Sequence, residues 1–262
     1  MVGVAPLSAQ IGAVVGDSAN PIPLEDVDTI GTWLADRLVV ALPGQDLDPS
    51  SLHEFMGAFG PAHVHHPDEG VVFVPDLPEV LELRKEPDGA RLFGGDGWHA
   101  DVTFLDPCGS ITGLYASVVP PSGGDTLFAS SIAAFGALSP AMQDMVRGLR
   151  AVHSYDGPGR PDRDGLTAVH PVVRRHPVTG LEGLYVNTMF ITRFEGMTPA
   201  ETRPLLGFLE THITRPEFIC RVQWEPGQLV LWDNRFTLHY PINDFVGHAR
   251  LLHRRVALES AA

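Results

Sequence analysis

The 262-residue chain predicts a mainly β fold with flanking helices, a sandwich or jelly roll whose helices pack outside. Three observations carry this. Glycine and proline number 27 and 23, about a fifth of the chain against an average of roughly 12%, which favours turns and short strands. Strand-like runs are numerous and short. Helix signals are few. At about 150 residues per domain the length allows one large domain or two small ones. No repeat, low-complexity tract or linker-like stretch divides the chain, so residues 1–262 read as a single domain.

In chain order, Pro23 to Leu38 carries apolar residues near helical spacing at Val27, Ile30, Trp33, Leu34 and Leu38. Ser51 with Glu54 reads as a capping box that opens a short helix through Phe59. Val71–Pro75 and Ile111–Val119 read as strands. Ser139-Pro140 places a cap before a proline at the first helical position, with Met142, Met145, Val146 and Leu149 as the buried stripe. Ser154–Ala168 is glycine, proline and charge; it reads either as a surface loop or as a lid over a site. Gly183–Asn187 is a further strand. Thr198-Pro199 with Glu201 starts a helix carrying Leu205, Leu206, Leu209 and Ile213. Phe218–Trp224 and Gln228–Trp232 complete the strands, each bounded by Gly, Pro or Asp.

A formal net charge of −14 and a pI near 5.2 argue against nucleic acid as a partner, because phosphate binding needs a basic surface. They argue equally against an anionic membrane. No apolar run reaches the roughly 18 residues that a membrane span needs. The first residues lack a basic n-region, so no signal peptide is read and a cytoplasmic location is expected. Two cysteines, Cys108 and Cys220, make neither a disulfide framework nor a cysteine-built metal site.

The most informative stretch is WHADVTF, residues 98–104. Its alternation has period two, so in a strand His99 and Asp101 point to the same side and can grip one ion. An imidazole and a carboxylate leave one histidine wanting for the 2-His-1-carboxylate triad of non-haem Fe(II) oxygenases. Further on, Gln228–Trp232 reads as a strand buried on both faces. Asp233-Asn234 follows as a turn, and His239 sits in the next short strand. Arg250, Leu252 and Arg254 share a parity, and two arginines on one face of a buried strand call for anions. His63-Val64-His65-His66 reads three ways: a metal pair, a pocket wall at His65, or a solvated loop.

WHADVTF, PPSGGDTLFAS (120–130), HPVVRRHPVTG (170–180), YVNTMFITRF (185–194) and WDNRFTLHY…RLLHRRV stand in one order. Together they resemble the taurine dioxygenase family of Fe(II)- and 2-oxoglutarate-dependent oxygenases, over about Phe59 to Val256. The resemblance implies a double-stranded β-helix, the cupin-like jelly roll. It implies His99, Asp101 and His239 as iron ligands, leaving three metal positions for 2-oxoglutarate and O2. It assigns Arg250 and Thr126 to the distal carboxylate of 2-oxoglutarate, and Arg254 with His65 to a substrate anion. Val102 and Phe190 become apolar pocket walls. A carboxylate at Asp101 favours hydroxylation over halogenation. The family's tyrosine after the histidine region and its asparagine before Trp-His find no match in HHPDEG (65–70) and FGGDG (93–97), which argues against an aminosulfonate.

The expectation is therefore a dioxygenase that hydroxylates a small anionic organic substrate and releases succinate and CO2. The anion is a sulfonate, sulfate ester, carboxylate or phosphonate. One alternative uses the same iron site for desaturation, cyclisation or oxidative decarboxylation of an amino-acid-derived substrate. A remote alternative is a non-catalytic jelly-roll binding module. Family members often form homo-oligomers, and nothing in the sequence decides this.

Overall fold

The apolar run near residue 230 becomes the strand Leu229–Asp233 (β14), buried at all five positions. In the computed structural model, which describes residues 3–65, 71–88, 97–155 and 166–260, β14 lies inside an eight-stranded sheet. The strand order is β1 (Val4–Pro6), β2 (Ala13–Val15), β3 (Val39–Leu42), β14, β6 (Gly109–Val118), β16 (Arg250–Leu258), β5 (Leu77–Lys85) and β4 (Val72–Val74). Every pairing is antiparallel except β2 with β3.

Side chains alternate faces along a strand, and β14 uses both. Leu229 and Leu231 pack with Ile30 and Leu34 of α1 (Val27–Arg37) and with Leu52 and Met56 of α2 (Pro49–Gly57). Val230 and Trp232 pack the other way, onto Phe128, Cys220 and Val222. Those three belong to a second sheet, ordered β13 (Ile219–Val222), β7 (Thr126–Ser130), β15 (Thr237–Pro241). Two sheets thus face each other with helices outside the larger one, the jelly roll that the composition predicts.

A third sheet, β12 (Ile191–Phe194), β8 (Arg150–Ser154) and β9 (Thr167–Pro171), and the pair β10 (Val173–Arg175) with β11 (Glu182–Leu184) extend the fold. Helices α3 (Ser131–Gly136), α4 (Pro140–Arg147) and α5 (Pro199–Ile213) bury Phe135, Val146, Leu206, Leu209 and Ile213 in one cluster with β-strand residues. No helix of the described residues is long and apolar enough to cross a membrane.

The helix starts follow local chemistry. Ser139 accepts the Met142 N–H at 3.4 Å, and Glu201 accepts the Thr198 N–H at 2.8 Å, as the sequence predicts. The cap of α2 is a correction. Asp48, not Ser51, is the N-cap: its carboxylate accepts the Ser51 N–H at 2.7 Å and the Ser51 hydroxyl at 2.8 Å. Pro49 then fills the first helical position, and Ser51 is a donor rather than a cap. The stripe of α4 is narrower than expected, with Val146 buried and Met145 exposed at 41%. Of the segment 154–168, Ser154 ends β8 and Thr167 opens β9; residues 156–165, on which a loop or a lid would turn, lie outside the described residues.

Candidate metal and cosubstrate site

The stretch 98–104, predicted as a strand, is a β-bridge followed by a turn. His99 and His239 of β15 exchange both backbone hydrogen bonds, at 3.0 and 2.7 Å. The chain then turns over residues 101–104, with Leu105 N–H donating to the Val102 carbonyl at 3.2 Å. The physical cause is Asn234, whose side-chain oxygen captures the Asp101 N–H at 3.1 Å and takes it out of any ladder. Val102 pays with a φ of +47°, uncommon for a β-branched residue.

Through this bridge and turn His99, Asp101 and His239 converge. Nε2 of His99 and Nε2 of His239 lie 4.0 and 3.9 Å from Asp101 Oδ1. One ligand atom from each residue falls within 4.8 Å of the others, and all three residues are buried. Nδ1 of His99 faces the Gly97 carbonyl at 3.1 Å, which fixes the proton there and leaves the Nε2 lone pair for a metal. Burial, reinforced by the neighbouring His99, lowers the His239 pKa to about 3, so this imidazole is neutral. Burial alone would raise Asp101. The Arg254 guanidinium, helped by the Thr112 hydroxyl, outweighs it and holds the carboxyl well below the usual range. The neutral His239 imidazole, the His99 imidazole and one ionised carboxylate are a fitting donor set for a divalent first-row metal.

Asp101 is held from both sides. Thr112 on β6 donates its hydroxyl to Oδ2 at 3.0 Å. Asn234 donates to the Thr112 oxygen at 2.5 Å and accepts from the Trp232 indole at 3.0 Å. Oδ1 faces the imidazoles and accepts from Arg254 Nη1 at 3.0 Å. Neither contact is legible in the sequence, where Asn234 reads as a turn former; the available signal was a threonine, buried at 0% exposure, inside a mostly apolar strand.

Arg250 opens β16 and is 4% exposed. It has the same parity as Leu252, which packs between the two sheets. Nη1 donates to the Gly124 carbonyl at 2.8 Å, and Nε is buried without a partner. Burial lowers its pKa to about 10, and no carboxylate among the described residues pairs with it. Thr126, at the start of β7, is two residues along from Gly124. Its oxygen accepts from the Trp224 indole at 3.1 Å, which leaves its own proton to donate.

Arg254 was expected at a substrate anion. The structure seats it on Asp101, with Nη2 3.2 Å from Nε2 of His65. His65 is buried, and its ring meets that of His63 at 4.4 Å; His66 lies outside the described residues. Val102 and Phe190 belong to one buried cluster with Phe104, Tyr155 and Val256, just beyond Asp101.

A jelly roll that carries a buried His-x-Asp…His cluster and an arginine without a counter-ion among the described residues has the build of a non-haem oxygenase that takes a carboxylate cosubstrate. The model of the taurine catabolism dioxygenase TauD, TfdA family matches residues 3–256, and the chain belongs to that family. It is 34% identical to an alpha-ketoglutarate-dependent sulfate ester dioxygenase of Pseudomonas putida, over 97% of this chain and 88% of that protein. It is 36% identical to the alpha-ketoglutarate-dependent 2,4-dichlorophenoxyacetate dioxygenase of Cupriavidus pinatubonensis, over 90% of each. Among solved structures, a taurine dioxygenase from Burkholderia xenovorans has a TM-score of 0.83 at 34% identity, covering 99% of this chain and 90% of that one. The protein is an oxidoreductase, a dioxygenase that uses 2-oxoglutarate (alpha-ketoglutarate) and O2.

Proposed function

We propose that His99, Asp101 and His239 hold Fe(II), that Arg250 and Thr126 receive the distal carboxylate of 2-oxoglutarate, and that the enzyme hydroxylates a small organic anion. The observation that carries this is Arg250. A guanidinium at 4% exposure with an unused Nε–H is costly unless an anion meets it, and a carboxylate fits its fork. When bound, iron supplies the activation of O2 and the removal of a substrate hydrogen, with 2-oxoglutarate leaving as succinate and CO2. Arg254 keeps Asp101 ionised and aimed. The Thr126 hydroxyl, supported by Trp224, donates to the carboxylate that Arg250 pairs with.

The substrate class follows from the relatives' names, a sulfate ester and a phenoxyacetate, both small organic anions. On this reading His65 and the Nε–H of Arg254, which is buried without a partner, would meet such an anion, with Val102 and Phe190 as apolar neighbours. A sulfonate, sulfate ester, carboxylate or phosphonate fits these groups. Two free and buried cysteines accord with a reducing compartment, and a cytoplasmic location is part of the proposal.

The test is an anaerobic titration of the metal-free protein with Fe(II) and then 2-oxoglutarate, followed by the visible charge-transfer band of the chelate. The band is expected in the wild type and absent in His99→Ala. Absence of the band in the wild type overturns the site assignment. A panel of alkyl sulfates, sulfonates and aryloxyacetates, read by succinate release, then identifies the substrate class.

A further inference from the structure

One buried cation has no part in the site as described. Lys85, the last residue of β5, is 7% exposed and is the cross-strand partner of Arg250 on β16. Such partners face the same side of a sheet, where like charges oppose folding. Among the described residues Lys85 has no carboxylate partner. It has three neutral ones: the Asn243 side-chain oxygen at 3.1 Å, the Phe245 carbonyl at 3.5 Å and the face of the Phe245 ring at 4.0 Å.

The same ring lies 4.8 Å from the Arg250 guanidinium carbon. Asp244, between Asn243 and Phe245, accepts the Gly124 N–H at 2.7 Å. The carbonyl of Gly124 is the group that Arg250 holds. The segment 243–245 therefore meets Arg250 twice, through a ring and through the Gly124 peptide, and Lys85 is fastened to both ends of that segment. The fit depends on Gly124, which has a φ of +74° and where a Cβ would come within 3.0 Å of the Phe245 ring.

We propose that Lys85, acting through Asn243 to Phe245, is a positioning residue that sets the Arg250 guanidinium for the distal carboxylate, so that preference for a dicarboxylic 2-oxoacid depends on it. This rests on the assignment of Arg250 made above. The second cation also adds a positive charge beside the anion it helps to seat.

The test measures equilibrium binding by calorimetry on the anaerobic Fe(II)-loaded protein. Two ligands are compared: 2-oxoglutarate, and 2-oxobutyrate, which keeps the chelating end and lacks the distal carboxylate. In Lys85→Met the Kd for 2-oxoglutarate rises roughly tenfold, the low end for a lost supporting contact, and that for 2-oxobutyrate stays within about twofold. Lys85→Arg, which keeps charge and donors, restores most of the difference. Equal weakening of both ligands, or no weakening of 2-oxoglutarate, overturns the proposal. If Lys85→Met does not fold, the exposed Asp244→Ala replaces it, with an expected loss of about threefold for 2-oxoglutarate alone; no loss there overturns the proposal. A wild type that binds the two ligands equally overturns the Arg250 assignment and the proposal with it, whereas a wild-type preference that Lys85→Met leaves unchanged overturns the proposal alone.

Discussion

A buried carboxylate that must stay ionised and keep one orientation needs several donors, and Asp101 has them. Arg254 supplies charge, Thr112 fixes Oδ2, and Asn234 holds the backbone N–H and the threonine together. Replacing Thr112 by Val removes the donor to Oδ2 and leaves the Asn234 amide without its acceptor. Iron affinity should fall by about one to two orders of magnitude, read by anaerobic Fe(II) titration. Unchanged affinity would mean that Arg254 alone orients the ligand. Arg250→Ala should raise the 2-oxoglutarate concentration needed for half-maximal turnover about a hundredfold, the loss of a charged hydrogen bond worth about 3 kcal/mol; iron binding should be untouched. His99 and Asp101 were legible in the sequence through their types and close spacing, although a bridge and a turn stand where a strand was expected, and His239 was legible through the family resemblance. Thr112 and Asn234 were not. They touch across 122 residues, and each has a sufficient local explanation, a strand and a turn, that hides the contact.

Elements show the same division between local and distant causes. The two-sided burial of β14 and the starts of α4 and α5 were legible, since each depends on residues within a few positions. The turn at 101–104 was not, because the group that breaks the ladder there is Asn234, more than a hundred residues on. The cap of α2 failed for a smaller reason: Ser51 and Asp48 compete for one role, and the carboxylate three residues earlier wins because it can accept from both groups of Ser51. Glu201→Ala tests the local kind. It removes the acceptor for the Thr198 N–H and hydroxyl and should cost about 1 kcal/mol in chemical denaturation. The Kd for 2-oxoglutarate should not change, since α5 supplies none of the polar side chains around Asp101 or Arg250 and meets their neighbours Ala100 and Leu238 only within a shared apolar cluster. A shift in that Kd would show that the outer helices and the site are coupled.

Across the whole molecule, acid should act through buried histidines. His153 is fully buried, its Nδ1 meets the Thr103 hydroxyl at 2.9 Å, and burial lowers its pKa to about 3. His170, His176 and His253 are lowered by burial as well. An unfolded histidine titrates near 6.5. Between about pH 3 and pH 6.5 the unfolded chain therefore binds protons that the folded chain does not, and stability rises with pH across that window and levels off above it. At pH 5 His153 alone accounts for about 2 kcal/mol relative to pH 7. Charge repulsion does not compete as an explanation, because the net charge of −14 at pH 7 shrinks toward zero near the pI of 5.2 and self-repulsion falls with it. Urea denaturation of the metal-free protein at intervals from pH 5 to pH 7.5 measures the slope. His153→Gln, which keeps a polar partner for Thr103, should reduce that slope by about one proton at its lower end, near 1.4 kcal/mol per pH unit. An identical slope in the variant would place the acid sensitivity in the other histidines. Because His153 and His170 both hold Thr103, two residues from Asp101, protonation that opens this region loosens the turn that carries Asp101.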